Sequence, residues 1–270
     1  MLMTNHKFWV TLEHRRFVEF CESCRADRTI GVCHGTPGVG KTMSAYHHTR
    51  WQHFEPFVSQ SLPVRLSLPR SQKARPTLLY TPGILTTPKR VRAEITHLRG
   101  ILMANFIDQL KSNMDPDDLN RRINRFSSRQ LLVIDEADRL NMQSIEQVRD
   151  LYDRFHLAVV FIGMPGLEKR LMRYPQLYSR VGFVHQFRSL TDTQMQPLIH
   201  ERWFQVCHTA FNPAQDKLAF AAIVRITRGN LRLLDRLFKQ IRRVMKINHL
   251  KHIDEQVVQA ARESLVLGVS

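Results

Sequence analysis

The stretch Gly35-Thr36-Pro37-Gly38-Val39-Gly40-Lys41-Thr42 decides the fold of this chain. It satisfies the pattern G-x-x-x-x-G-K-[ST] in full, and it lies between a short β-rich run, Thr29–Cys33, and a segment with helical character. Glycines let main-chain N–H groups turn inward around phosphates, and the following helix presents its positive end to them. The pattern predicts a phosphate-binding loop, in which Lys41 reaches the β- and γ-phosphates and the Thr42 hydroxyl ligates Mg²⁺.

An acidic pair completes the predicted site. Leu131–Ile134 is fully apolar and is followed by Asp135 and Glu136. A buried parallel strand delivers the residues after it to the carboxyl edge of the sheet, where ligands collect. We expect Asp135 to hold the Mg²⁺ shell and Glu136 to polarise the attacking water, which predicts an ATPase with ATP and Mg²⁺ as cofactors. The predicted nucleotide contacts of the loop and first helical turn are Thr36, Pro37, Gly38, Val39, Gly40, Lys41, Thr42 and Met43.

Beyond the loop, strand-like and helix-like segments alternate up to about residue 190, and every later periodic segment is helical. This order predicts a P-loop α/β domain over residues 1–190, with a parallel five-stranded sheet, and a small helical lid domain over residues 191–270. The predicted strands are Thr29–Cys33, Thr77–Tyr80, Leu131–Ile134, Ala158–Ile162 and Val184–Phe187. The predicted helices of the first domain are Leu12–Arg25, Lys41 to about Phe54, Pro88–Lys111, one starting at Asp115, Asn141–Phe155 and Glu168–Met172, with a loop at Phe57–Pro76.

The chain carries a strong positive charge. It has 40 Lys and Arg against 24 Asp and Glu, a net charge of +16, and the basic residues cluster at Arg65–Arg99 and Arg225–Lys246. Such an excess favours a polyanionic partner, and the clustering favours nucleic acid over the alternative of a solubility surface.

No apolar run approaches the roughly 20 residues that cross a bilayer. The first residues lack a secretory signal, so we expect a cytoplasmic protein without a membrane partner.

Two of the four cysteines, Cys21 and Cys24, have the spacing of metal ligands. No second Cys or His pair with matching spacing follows, and both lie in a helical pattern. We expect reduced, structural thiols rather than a zinc site.

Three segments together resemble AAA+ ATPases: the phosphate loop, the run Asp135–Leu140 and the strand Val159–Gly163. The likeness is strongest to the TniB/TnsC branch of transposition regulators, which includes the MuB-type target-capture proteins. This resemblance implies a prokaryotic, ATP-dependent regulator that oligomerises on double-stranded DNA as a helical filament or ring. It also implies that the protein recruits or activates a transposase and works with a target-selector protein.

The resemblance implies two further arginines at the nucleotide. A neighbouring subunit of an AAA+ assembly contributes an arginine finger, and Arg180 matches its position, with Arg173 as the alternative. Gly229-Asn230-Leu231-Arg232 resembles the sensor-2 motif, so Arg232 is expected to contact the γ-phosphate. A basic face is the other interpretation, because Arg232, Arg236, Lys239 and Arg243 are at helical spacing.

The family also suggests an adenine contact and departs from its pattern at one position. Trp9 and Val10 stand where family members pack the adenine ring, although a hydrophobic staple onto the first helix is equally consistent. Gly163-Met164-Pro165 occupies the place of a polar sensor-1 residue. A thioether cannot orient water as an amide or hydroxyl does, which predicts slow or partner-stimulated hydrolysis.

In the family, DNA contacts come from the segment after the second strand, here Thr81–Arg90. The predicted DNA-binding residues are Thr86, Lys89, Arg90 and Arg92, which suit backbone phosphates rather than bases. The Arg65–Arg75 loop is a second candidate. Two other functions stay open: an initiator-like or helicase-loader-like ATPase, and a nucleotide-gated assembly scaffold with little hydrolysis.

Overall fold

The computed structural model describes residues 8–55, 75–110 and 115–265, and five parallel strands form one sheet in it. The strands are β1 Ile30–His34, β2 Thr77–Tyr80, β3 Leu131–Ile134, β4 Ala158–Gly163 and β5 Val181–Gln186. Their order across the sheet is β2-β3-β4-β1-β5. β3 and β4 are buried along their whole length, as their uninterrupted apolar sequences require in a parallel sheet with both faces covered. The predicted α/β fold with a parallel five-stranded sheet is therefore confirmed.

The strand β5 begins at Val181, before the predicted start at Val184. Its residues alternate between half-buried and exposed, because it lies at the edge of the sheet. Gly182 and His185 interrupt the apolar sequence, so the edge strand has no continuous apolar run by which to recognise it.

Seven α-helices are described up to β5, and six of them correspond to predicted helices. Their bounds lie within about two residues of the predicted ones except in α2, and α7 was not predicted. α2 ends at His48 rather than near Phe54, so that prediction was wrong. Arg50 takes a left-handed φ of 51° and a 3₁₀ turn, Trp51–His53, follows it. The predicted loop at Phe57–Pro76 lies outside the described residues as far as position 74. The helices are α1 Leu12–Asp27, α2 Lys41–His48, α3 Pro88–Leu110, α4 Pro116–Ser127, α5 Met142–Phe155, α6 Leu167–Met172 and α7 Pro175–Tyr178.

The chain divides into two compact units. Among the described residues, the first unit contains 8–10, 14–35 and 41–187, and the second contains 11–13, 36–40 and all from 188 onward. The second unit is built from four helices: α8 Asp192–Cys207, α9 Lys217–Thr227, α10 Leu231–Ile247 and α11 Glu255–Glu263. Within the described ranges, no helix has the length and apolar character needed to span a membrane.

The two cysteines with metal-ligand spacing are buried where α1 packs on β1. A Cβ at Gly31 would overlap the sulfur of Cys24, so the glycine lets the helix approach the strand closely. Burial raises the pKa of Cys24 to about 12 and that of Cys21 as well, which keeps both thiols protonated. The part of the chain that the structure describes contains no cluster of three or more metal-ligating side chains.

One buried arginine joins α1 to the residues that precede β2 and β3. Arg25 is 8% exposed, and its guanidinium donates to the main-chain oxygens of Pro76 (2.7 Å) and Arg129 (2.6 Å) and to Thr77 Oγ1 (2.6 Å). Planar donors in a fork suit several acceptors at once. The arginine therefore connects the N-terminal ends of two neighbouring strands, β2 and β3, to helix α1.

We expect Arg25→Met, which keeps the aliphatic volume, to lower the free energy of unfolding by about 2–4 kcal/mol, because buried acceptors lose their donor. Urea unfolding followed by circular dichroism measures the change. Arg15→Met is the matched control, since Arg15 is exposed on the same helix, and its effect should stay within about 0.5 kcal/mol. Equal effects of the two substitutions would show that the buried hydrogen bonds contribute nothing.

Candidate nucleotide-binding site

Two residues of the glycine loop have backbone conformations that favour glycine. Gly38 and Gly40 have φ angles of 82° and 111°, in the left-handed region that glycine enters without a steric penalty. Lys41 opens α2, its side chain is 9% exposed, and its Nζ donates to the main-chain oxygen of Gly35. The ammonium group thus folds back across the loop, on the side where phosphate groups are expected.

The structure brings together the two predicted Mg²⁺ ligands, Thr42 and Asp135. Asp135 is 3% exposed and accepts hydrogen bonds from the Thr42 hydroxyl and from the main-chain nitrogen of Glu136, the latter at 3.0 Å. Burial raises the pKa of Asp135, while the bond from Thr42 and the charge of Lys41 act in the opposite direction. A carboxylate and a hydroxyl oxygen are hard donors that fit Mg²⁺.

The predicted catalytic carboxylate is ion-paired. Glu136 has a φ of 52° and forms a salt bridge with Arg139, in the 3₁₀ turn Ala137–Arg139. Arg139 also donates to the main-chain oxygen of Pro82 at 2.8 Å. The carboxylate is occupied by the guanidinium, so Glu136 has to leave Arg139 before its oxygens can hydrogen-bond to an attacking water. Arg139 had no predicted role, although its i,i+3 spacing from Glu136 is typical of an ion pair.

At the end of β4, a carboxylate contacts the main chain of Met164, the residue at the predicted sensor-1 place. The main-chain nitrogen of Met164 donates to Asp138 Oδ2 at 2.8 Å, and a Cβ at Gly163 would overlap that same carboxylate. Met164 itself is 42% exposed. Asp138 therefore supplies a polar group at this edge of the sheet. Its position next to Met164 follows from the tertiary structure and not from the sequence.

Within the second unit, residues at the start of α10 donate hydrogen bonds to two main-chain oxygens of the glycine loop. Asn230 Nδ2 donates to the main-chain oxygen of Pro37 (2.9 Å), and the main-chain nitrogen of Arg232 donates to that of Gly38 (3.1 Å). Asn230 Oδ1 also caps the helix by accepting from the nitrogen of Leu233 at 3.0 Å. A Cβ at Gly38 would overlap the Asn230 amide. The carbonyls of Pro37 and Gly38 are thus satisfied by α10, and the Arg232 side chain is exposed.

The two arginine-finger candidates differ in their surroundings. Arg180 is paired in a bidentate manner with Asp153, with Nε–Oδ1 and Nη2–Oδ2 distances of 2.7 and 2.9 Å. Arg173 is exposed and makes no ion pair with another described residue. Action of Arg180 on a neighbouring subunit therefore requires that it leave Asp153.

The predicted adenine-contacting segment lies against α2. The ring of Phe8 stacks on His47 with a centroid distance of 4.0 Å and an interplanar angle of 13°. Trp9 is partly buried, and Val10 is 54% exposed. The segment is thus held near the helix that follows the loop, and the adenine contact of Trp9 and Val10 stays a prediction.

The predicted DNA-binding residues lie at and before the start of α3. Lys89 is exposed without a carboxylate partner among the described residues, whereas Arg90 pairs with Glu94 (2.7 Å) and Arg92 with Asp150 (3.5 Å). Thr86 is partly buried. The segment also presents two exposed apolar side chains without a predicted role, Ile84 and Leu85. The Arg65–Arg75 candidate lies outside the described residues except for Arg75.

Residues 24–171 match the family model of the AAA domain, and this match defines the class of the protein. The chain belongs to the AAA domain family of P-loop ATPases. A relative from Staphylococcus aureus, described as a potential ATP-binding protein, is 37% identical in an alignment 270 positions long, which covers 98% of this chain and 98% of that one.

Solved structures with low sequence identity share the fold. Cdc6p from Pyrobaculum aerophilum has a TM-score of 0.62 at 13% identity, covering 99% of this chain and 71% of that one. The ORC2 protein of Aeropyrum pernix has a TM-score of 0.60 at 11% identity, covering 96% and 70%. RuvB of Thermotoga maritima, a Holliday junction branch migration motor, has a TM-score of 0.58 at 16% identity, covering 93% and 68%.

The double role of Asn230 yields a separable prediction. Asn230→Ser keeps an oxygen that caps α10 but removes the donor to Pro37, so we expect ATP affinity to fall about 3–10-fold, the equivalent of one hydrogen bond. Asn230→Ala should lose as much affinity and in addition about 1 kcal/mol of stability, since it removes the cap too. Isothermal titration with ATP and thermal unfolding measure the two effects. Wild-type affinity in the serine variant would exclude the amide from a role in holding the loop.

Proposed function

We propose that this protein is an ATP-dependent, DNA-binding transposition regulator, which oligomerises on double-stranded target DNA and recruits or activates a transposase. The observation that carries the proposal is the assembled AAA+ site, in which the loop, Lys41 and the Thr42–Asp135 pair converge. The particular branch of the family is supported by the runs Asp135–Leu140 and Val159–Gly163, which resemble TniB and TnsC.

In the proposed reaction, the chain binds and orients ATP for attack by water. Loop N–H groups and the Lys41 ammonium hold the β- and γ-phosphates. Thr42 and Asp135 would hold Mg²⁺, which neutralises charge on the same phosphates when bound. Glu136, once released from Arg139, accepts the proton of the attacking water. Arg180 of a neighbouring subunit and Arg232 contact the γ-phosphate, so hydrolysis depends on assembly.

The DNA contacts are proposed for Thr86, Lys89, Arg90 and Arg92. Thr87 caps α3 by accepting from the main-chain nitrogen of Arg90 at 3.3 Å, and Pro88 occupies the first turn. A helix start flanked by cations suits phosphate oxygens and reads no base edge. Binding is therefore expected to depend weakly on sequence and steeply on salt.

An initiator-like function is the second candidate, and the fold likeness to Cdc6p and ORC2 favours it. A scaffold with little hydrolysis is the third, favoured by Met164 at the sensor-1 place and by the Glu136–Arg139 salt bridge. The three candidates predict different assemblies and different effects of blocking hydrolysis.

Electron microscopy of the protein with duplex DNA and a non-hydrolysable ATP analogue tests the proposal. We expect filaments or rings that coat the duplex. Lys41→Ala should abolish them, because it removes the ammonium at the phosphates and lowers ATP affinity about tenfold or more. Glu136→Gln should still coat DNA while hydrolysis falls about 100-fold or more. A failure to bind ATP, or coating that survives Lys41→Ala, contradicts the proposal; a discrete ring that binds only a helicase supports the initiator.

The arginine finger is tested separately from the ion pair it makes. We expect Arg180→Ala to slow hydrolysis by the DNA-bound assembly about 1,000-fold, because transition-state charge loses its stabilising cation. The control is Asp153→Ala, which breaks the same salt bridge but leaves Arg180 available and should therefore retain hydrolysis. Should both variants lose hydrolysis equally, Arg180 acts through Asp153 alone, and Arg173→Ala becomes the variant to measure.

A further inference from the structure

The exposed side of α10 carries a row of basic residues that the nucleotide site does not use. Arg236, Lys239, Arg243 and Lys246 are all exposed, and we call them the α10 stripe. At about 100° per residue, these four lie within an arc of roughly 80°. The buried residues of the same helix lie on the opposite side: Leu234, Leu237, Phe238, Ile241 and Met245. The stripe therefore points directly away from the core of the second unit.

This helix accounts for most of the positive charge of its unit. Residues 188–270 hold thirteen Lys and Arg against seven Asp and Glu, an excess of six. α10 alone holds six Lys and Arg against one acid, which is five of that excess. That acid, Asp235, is paired with Arg202 at 2.6 Å. The charge is concentrated on one helix rather than spread over the surface.

The stripe also lacks the neutralisation that is common elsewhere in the chain. Within the described residues, none of its four side chains forms an ion pair. Arginines in the first unit, in contrast, commonly lie against carboxylates: Arg90, Arg92, Arg121, Arg122, Arg139, Arg149, Arg154 and Arg180. Like charges at helical spacing repel one another, so an unneutralised row is destabilising unless an anion covers it.

The chemistry of the stripe fits a phosphate backbone better than a protein surface. The core of a protein interface is depleted in charge and rich in aromatic and apolar groups, which is the reverse of this row. The stripe runs roughly 15 Å from Arg236 to Lys246, at 1.5 Å per residue. About nine phosphate charges of a DNA duplex lie alongside that length.

We infer that the α10 stripe is a second contact surface for duplex DNA, distinct from the Thr86–Arg92 contacts. The inference rests on the proposed DNA binding and assigns part of it to the second unit. It contacts phosphates without reading bases, so it adds affinity and salt dependence but no sequence preference. Arg232 lies on the same helix but is not counted in the stripe, because its proposed partner is the γ-phosphate.

The test compares the salt dependence of DNA binding in full-length variants. Fluorescence anisotropy with a random-sequence duplex and saturating ATP analogue gives the slope of log K against log salt. Replacing all four stripe residues by glutamine should reduce the magnitude of that slope by about 3 to 4. ATP affinity and the unfolding temperature should stay at wild-type values, which shows that the variant is folded.

A control of equal net charge separates the stripe from overall charge. Replacing Arg121, Arg122, Arg154 and Arg225 by glutamine removes four exposed cations that are ion-paired. This variant should keep a slope within about one unit of wild type. Equal loss in both quadruple variants would overturn the inference, because net charge alone would then explain it.

The remaining outcomes distinguish this inference from the proposed function. If wild type binds DNA and only a Lys89, Arg90 and Arg92 variant has a shallower slope, the stripe is overturned and the proposed contacts stand. If the stripe variant binds DNA normally but no longer binds polyglutamate, the surface takes an acidic polypeptide instead. If wild type does not bind duplex DNA at all, both proposals fail together.

Discussion

A loop that binds phosphate has to aim its main-chain N–H groups at one centre, and its carbonyl oxygens therefore turn away and need other donors. In this protein the Lys41 ammonium donates a hydrogen bond to the main-chain oxygen of Gly35. The Asn230 amide donates to the oxygen of Pro37, and the main-chain nitrogen of Arg232 donates to the oxygen of Gly38. Glycine at position 38 is required twice, for its positive φ and because the Asn230 amide leaves no room for a Cβ. Satisfying the carbonyls of Pro37 and Gly38 is what ties helix α10 to the glycine loop.

The acidic side of the site depends on burial and on pairing. Asp135 is buried at the end of β3, where the Thr42 hydroxyl and nearby Lys41 favour its charged form against the effect of burial. Glu136 is partly buried and paired with Arg139, which in turn donates a hydrogen bond to Pro82 in the segment proposed to contact DNA. The residue that would activate water is therefore linked by two contacts to that segment.

Charge is distributed unequally along the chain. Arginines of the first unit commonly lie against carboxylates, so their net field in the structure is small. The α10 stripe is unneutralised, and it faces away from an apolar core that fixes its orientation. A net charge of +16 is thus less informative than the place where the charge remains unpaired.

The sequence by itself determined the sheet, because β3 and β4 are short apolar runs of the kind found in strands buried in a parallel sheet. It also determined the Thr42–Asp135 pairing, through the loop and acid motifs. It failed at β5, where an edge strand needs no continuous apolar run, and at α2, where the left-handed Arg50 carries no strong sequence signal. The partners of Glu136, Met164 and Pro37 were decided only by the tertiary structure. A hydrogen bond depends on which distant side chain packing delivers within about 3 Å, and residue spacing along the chain does not contain that distance.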